Sequence, residues 1–220
     1  MTVTVKICGI NDEASLKAAV THGARFVGFV FYPRSPRAVK PAAILPWTRS
    51  LSEKVTSVGL LVDPNDEDVA QAVTSGVQML QFHGNESPTR LSAIRERTGL
   101  KIMKAIKVAA TEDLSLISHF EPVADWLLFD AKPPVDRPDS LPGGNARAFD
   151  WEIMAKARIH RPWMLAGGIH AGNLIDAVRQ SGAAAVDVSS GAEDRPGVKN
   201  PAKIAELLAV SRQSGYNPAL

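Results

Sequence analysis

Residues 163–191 read WMLAGGIHAGNLIDAVRQSGAAAVDVSSG: two short apolar runs separated by an amphipathic segment that stops at Gly182. The runs, 163–166 and 185–189, have the length and glycine-bounded edges of buried strands, and 171–181 has the spacing of a helix. Strand, crossover helix, strand is the repeat of a parallel sheet.

The same alternation continues outward over the chain. Strands are expected at 3–8, 26–31, 55–62, 77–82, 101–106 and 126–130 besides the two just named. Helices are expected at 12–22, 41–51, 66–75, 88–97, 112–119, 151–157, 171–181 and 201–211. Start signals agree: Asn11 precedes Asp12 and Glu13, Asn65 precedes Asp66 and Glu67, and Pro41, Pro88 and Pro201 stand at first helical positions. Gly23, Gly76, Gly99 and Gly182 follow four of the helices as stops. Eight units in 220 residues average roughly 27 residues each, which is the scale of a compact (β/α)8 TIM barrel with little decoration. A doubly wound open sheet also alternates strand and helix. It usually has five or six strands, and no Gly-x-Gly-x-x-Gly follows the first strand here.

No composition shift divides the chain, so one barrel domain over 1–220 is expected. The connection at 131–150, AKPPVDRPDSLPGGNARAFD, is long for a barrel loop and is expected to be a mobile lid or binding loop. The tail at 213–220, QSGYNPAL, lacks a helical pattern and is expected to fray.

Composition narrows the function classes. Apolar residues at 45% and charged residues at 22% are ordinary for a globular protein and exclude disorder and fibrous repeats. Lys plus Arg number 25 against 23 Asp plus Glu, so a net charge of +2 gives no electrostatic case for nucleic acid. No stretch reaches the 18 or so apolar residues of a membrane helix, and the N-terminus lacks a signal-peptide pattern. The single cysteine, Cys8, excludes an internal disulfide and fits a reducing compartment. A cytoplasmic protein acting on a small molecule is expected, with no membrane or nucleic-acid partner, as monomer or homodimer.

In a barrel the chemistry gathers at the C-terminal strand ends. Gly167 and Gly168 after the seventh strand, with Ser189, Ser190 and Gly191 after the eighth, supply backbone N–H groups and hydroxyls where barrels hold phosphate. A Gly-Gly pair alone more often makes a tight turn; two such loops on neighbouring strands favour the anion site. Cys8 and Asp130 close the first and sixth strands, where a thiolate and a carboxylic acid would form a base and an acid across the mouth. Lys6 shares strand parity with Cys8 and is expected to lower its pKa. The bland alternatives are a small buried thiol and a satisfied core carboxylate. Asp187 shares parity with Ser189 and is open to either a structural or a ligand role. His83 closes the fourth strand as a possible supporting group. No second ligand stands at metal spacing, so no metal is expected. Arg34 and Arg37, in a proline-restricted loop, are candidate clamps for a substrate carboxylate.

Taken jointly, these segments have a known pattern: KICGI at 6–10, FVFYPRSPR at 29–37, QFHGNE at 81–86, LLFDA at 127–131, LAGGI at 165–169 and AVDVSSGAEDRPGVKN at 185–200. Over 5–203 the chain closely resembles the phosphoribosylanthranilate isomerase family of tryptophan biosynthesis. The resemblance implies a cofactor-free, metal-free Amadori rearrangement of N-(5-phosphoribosyl)anthranilate, with Cys8 as general base and Asp130 as general acid. It implies Arg37 as the residue holding the anthranilate carboxylate, and the 167–168 and 189–191 loops as the phosphate site. Three departures stand out. The 143–147 loop reads Gly-Gly-Asn-Ala-Arg where the family usually has Gly-Thr-Gly. Asn200 replaces a usual Asp and is expected to cap the last helix, and Phe82 replaces a common Leu. The enzymatic rival, a related isomerase of histidine biosynthesis, uses two aspartates, and Cys8 argues against it. A catalytically silent barrel that binds a phosphorylated ligand is the rival from another class; it has no need of an acid and base pair.

Overall fold

A computed structural model of the chain describes residues 2–132 and 149–213. The expected mobile loop at 131–150 and frayed tail at 213–220 lie almost entirely outside the described residues, as does the 143–147 departure.

The observed elements are β1 (Thr4–Cys8), α1 (Glu13–Thr21), β2 (Phe26–Val30), α2 (Pro41–Ser50), β3 (Thr56–Leu61), α3 (Asp66–Thr74), β4 (Met79–Phe82), α4 (Pro88–Thr98), β5 (Lys101–Val108), α5 (Ile117–Phe120), β6 (Trp126–Ala131), α6 (Glu152–Ala155), β7 (Trp163–Leu165), α7 (Leu174–Ser181), β8 (Ala185–Val188), β9 (Glu193–Arg195), β10 (Val198–Lys199) and α8 (Pro201–Gln213). Strands β1 to β8 are parallel, each bonded to the next, and β8 pairs with β1 to close the barrel. The expected (β/α)8 fold is what forms.

Alternation along the strands builds two cores. Val5, Ile7, Val27, Phe29, Leu80, Phe82, Leu127 and Phe129 face outward and pack with helical Leu16, Ile44, Leu91, Ile94, Val178 and Leu207. Their neighbours Phe26, Val58, Met79, Met103, Leu128 and Met164 face inward and fill the barrel floor. Each such side chain contributes about 1.5–3 kcal/mol on full burial. Above this floor the inward positions turn polar. Lys6, Gln81, Asp130 and Asp187 continue the inward parity of their strands, and all four are buried.

Local chemistry explains the ends. Asp12, rather than Asn11, caps α1: its Oδ1 accepts from Ser15 N–H at 2.8 Å, while Asn11 donates to Gly197 O. Asn65 caps α3 in a reciprocal capping box with Asp68. Asn200 Oδ1 accepts from Ala202 and Lys203 N–H, so it caps α8. Two expected helices are shorter than their pattern. The 112–119 segment is a 3-10 turn, Thr111–Leu116, leading into α5, with Asp113 Oδ2 accepting from Ala109 and Ala110 N–H. The 151–157 segment keeps one turn, α6. The ribbon of β9 and β10, antiparallel and lying between β8 and α8, was not expected.

Candidate active site

Cys8, Tyr32, Arg37, His83, Asp130, Gly167, Gly168, Asp187, Ser189 and Ser190 line one cavity at the C-terminal mouth of the barrel. The strand-end residues therefore converge as expected. Arg34 is exposed and outside this lining.

The thiol sits in a buried charged setting. Lys6 is fully buried, and its Nζ donates to Asp187 Oδ1 at 2.9 Å, joining β1 to β8. A Cβ placed on Gly28 would lie 3.1 Å from both Cys8 Sγ and Lys6 Nζ, so the residue opposite Cys8 must be minimal for thiol and ammonium to share this space. Burial opposes the Lys6 charge, yet Asp187 and Cys8 hold its pKa above the ordinary value. For Cys8 the outcome reverses. Burial pushes the thiol up, and the pull of Lys6 and Lys199 toward the thiolate does not overcome it. The expectation that Lys6 would leave Cys8 with a lowered pKa is thus corrected. The direction of the Lys6 effect is right, but desolvation is the larger influence. Asp187 pairs with Lys6, as burial of a carboxylate requires, and also lines the cavity.

Asp130 Oδ1 accepts from the Ala131 N–H at 2.9 Å. Its Oδ2 lies 3.3 Å from His83 Nε2. That separation is close but misaligned, since Nε2 makes no hydrogen bond among the described residues. Behind the ring, Gln81 Nε2 lies 3.3 Å from His83 Nδ1.

Arg37 crosses the mouth from the loop after β2. Its side chain lies over Gly9, where a Cβ would come within 2.6 Å of Arg37 Cδ; Gly9 also has a φ of 79°. The Nε and Nη2 edge of the guanidinium is already engaged, donating to Glu193 Oε1 at 2.7 Å and Oε2 at 2.8 Å. The edge of Nη1 and Nη2 is the one left for a further acceptor. Lys199 Nζ donates to the same Glu193 Oε1 at 2.6 Å and to Ser189 O at 3.0 Å. Burial raises the Glu193 carboxyl, but the two cations outweigh it and hold the pKa below the ordinary value. Lys199 is pulled below its own ordinary value by burial, against the charge of Glu193. Glu193 and Lys199 went unassigned in the sequence because the partner that brings Glu193 to the site, Arg37, is 156 positions away. The signal was three charges, at 193, 194 and 195, right after a phosphate-type loop.

The loops after β7 and β8 meet beside this network. Gly167 and Gly168 both take positive φ, 90° and 65°, backbone states that favour glycine at this turn. Gly191 stands behind the mouth. A Cβ there would lie 2.0 Å from Ile169 O, so only glycine lets the loops after β7 and β8 touch. Among the described residues no three His, Cys, Asp or Glu side chains cluster at metal-binding distance, and no helix is long and apolar enough to cross a membrane.

A closed barrel that gathers a carboxyl, a thiol, a guanidinium and two glycine-containing loops on one mouth has the layout of a (β/α)8 enzyme. Comparison with known proteins agrees. The family model for N-(5'-phosphoribosyl)anthranilate isomerase matches residues 5–210. A protein of that name from Rhodospirillum centenum is 51% identical over 211 residues, covering 95% of this chain and 98% of its own. One from Paracoccus denitrificans is 47% identical, covering 95% and 97%. Among solved structures, the enzyme from Thermotoga maritima superposes with a TM-score of 0.82 at 29% identity, over 96% of this chain and 99% of that one. Another was solved in complex with reduced 1-(o-carboxyphenylamino)-1-deoxyribulose 5-phosphate, with a TM-score of 0.80, 28% identity and coverage of 96% and 99%. The chain belongs to the phosphoribosylanthranilate isomerase family.

Proposed function

We propose that this chain converts N-(5-phosphoribosyl)anthranilate into 1-(2-carboxyphenylamino)-1-deoxyribulose 5-phosphate in tryptophan biosynthesis. The observation that carries the reading is the convergence of Asp130 and Cys8 on one mouth, between Arg37 and the amide-rich loops. Asp130 gives its proton to the ribose ring oxygen as the bond from that oxygen to C1 breaks, leaving a Schiff base. Cys8, as thiolate, removes the proton from C2, and the resulting enolamine tautomerises to the ketone. The reaction moves hydrogen from C2 to C1 within one molecule, so it needs no external redox partner. The phosphate is held by the N–H groups of the 167–168 loop and by Ser189 and Ser190, with Gly191 bringing the two loops together. Arg37 meets the anthranilate carboxylate through its open edge. Lys6 supports the thiolate. An enzyme whose only thiol is its base suits a reducing compartment, and we place it in the cytoplasm.

The test is to generate the labile substrate in place and follow the loss of anthranilate-type fluorescence on adding protein. A decay equal to that in buffer overturns the reading. Asp130→Asn and Cys8→Ser are each expected to lower turnover by roughly two orders of magnitude or more, the scale of a lost acid or base.

A further inference from the structure

Three buried side-chain polar atoms lack a hydrogen-bond partner among the described residues: Gln81 Oε1, His83 Nε2 and Trp151 Nε1. Two of them share the inward parity at the end of β4: Gln81 within it and His83 just past it, beside Asp130. Gln81 is fully buried and His83 is 5% exposed, so neither atom is served by bulk water.

An amide nitrogen carries two hydrogens and no lone pair. The 3.3 Å approach of Gln81 Nε2 to His83 Nδ1 is therefore a hydrogen bond only when Nδ1 is bare, and a neutral imidazole with bare Nδ1 carries its proton on Nε2. On the other side, Asp130 Oδ1 already accepts from Ala131 N–H, so the proton of the acid belongs on Oδ2. Oδ2 is the atom 3.3 Å from His83 Nε2.

The tautomer then decides where the acid's proton goes. A bare Nε2 would accept from Oδ2–H and hold that proton away from the sugar. An Nε2–H group offers it no acceptor, and the proton stays directed to the mouth. At rest the two atoms are near each other without a hydrogen bond, so a contact between them is still to be made. After proton transfer Asp130 is a carboxylate, and Nε2–H closes on Oδ2. A contact that forms only as charge develops lowers the barrier, whereas one already made at rest does not.

We propose that Gln81 is a positioning residue that fixes His83 as the Nε2–H tautomer. Held in that form, His83 leaves the Asp130 proton to the substrate and then stabilises the carboxylate left behind. This rests on reading Asp130 as the acid.

The decisive measurement is nitrogen-15 NMR of the histidine-labelled wild-type protein at neutral pH, with His83→Gln used to assign the resonances. The expected spectrum shows His83 with a protonated Nε2 and a bare Nδ1; the opposite tautomer overturns the proposal. Gln81→Met keeps the length and removes the donor. It is expected to give a mixed tautomer and a turnover lower by about tenfold or more, with KM little changed. An unaltered spectrum and turnover would overturn the proposal, and if this variant does not fold the wild-type spectrum still decides. His83→Gln, which keeps an N–H donor, is expected to retain more turnover than His83→Leu; equal loss argues against a donor role and overturns it. Failure of the acid assignment looks different: Asp130→Asn would then turn over near normally, whatever the tautomer.

Discussion

Cys8 is held between opposing influences: burial keeps its proton on, while Lys6 and Lys199 draw the proton off. In the proposed reaction Cys8 is the base and acts deprotonated, so kcat/KM is expected to climb as pH rises through the thiol pKa, above the ordinary thiol range. Removing a cation that favours the thiolate moves that climb to still higher pH. Lys6→Met is therefore expected to shift the ascending limb upward, and a pH–rate profile checks it; an unmoved limb would detach Lys6 from the thiol. The same substitution strands Asp187, which has no other ion-pair partner among the described residues. Breaking a buried pair in this way destabilises by about 3–5 kcal/mol, and Lys6→Met/Asp187→Asn is expected to recover part of the loss in denaturant melts. At this scale the sequence was readable where parity along one strand suffices, as for Lys6 and Cys8. It was silent where the partner is remote. Nothing near Asp187 names Lys6, and nothing near Arg37 names Glu193.

Elements were legible wherever a single residue type fixes a backbone state. Gly99 and Gly182 end α4 and α7 in the left-handed conformation, and Pro41 and Pro88 open α2 and α4. Where side chains compete for backbone groups the pattern misled, as at Asp113, whose carboxylate takes up two N–H groups ahead of a 3-10 turn. The β9–β10 ribbon was invisible because its strands are three and two residues long, too short for any periodicity. It nevertheless carries Glu193 and Lys199 to the mouth. Loop contact at Gly191 gives the prediction for this scale. Gly191→Ala sets a methyl against the Ile169 carbonyl, which is backbone and cannot swing aside. Such overpacking destabilises by about 1–3 kcal/mol. Because it parts the loops after β7 and β8, to which the proposed function gives the phosphate, substrate affinity is expected to fall roughly tenfold, or about 1.4 kcal/mol, with a smaller effect on turnover. Steady-state kinetics would show this as a rise in KM.

Across the molecule, carboxylates tied to cations set the response to acid. Asp66, at the start of α3, is held down to about 2 by Arg97 and Arg90 of α4, and Glu193 is held below its ordinary value. A carboxylate whose pKa falls on folding adds stability that is complete above its unfolded value. That stability is lost as pH drops through the folded value. Denaturant melts at descending pH are expected to show stability falling below the ordinary carboxylate range, and Asp66→Asn is expected to flatten part of that fall. A slope identical to wild type would remove the α3–α4 pairs from the acid response.

The Lys6–Asp187 pair spans 181 positions of sequence and lies directly under the thiol. During synthesis the first strand leaves the ribosome long before its partner. Until β8 emerges, a nascent chain carries an unmatched ammonium at the centre of its future core and two open sheet edges, which favour association with other chains. The loop after β8 and the paired charge beneath Cys8 are absent before then. Activity is thus expected to arrive as one late event at closure, and a chain stalled before Ala185 is expected to associate with other chains rather than act as a weak enzyme, which sedimentation of truncated chains would check.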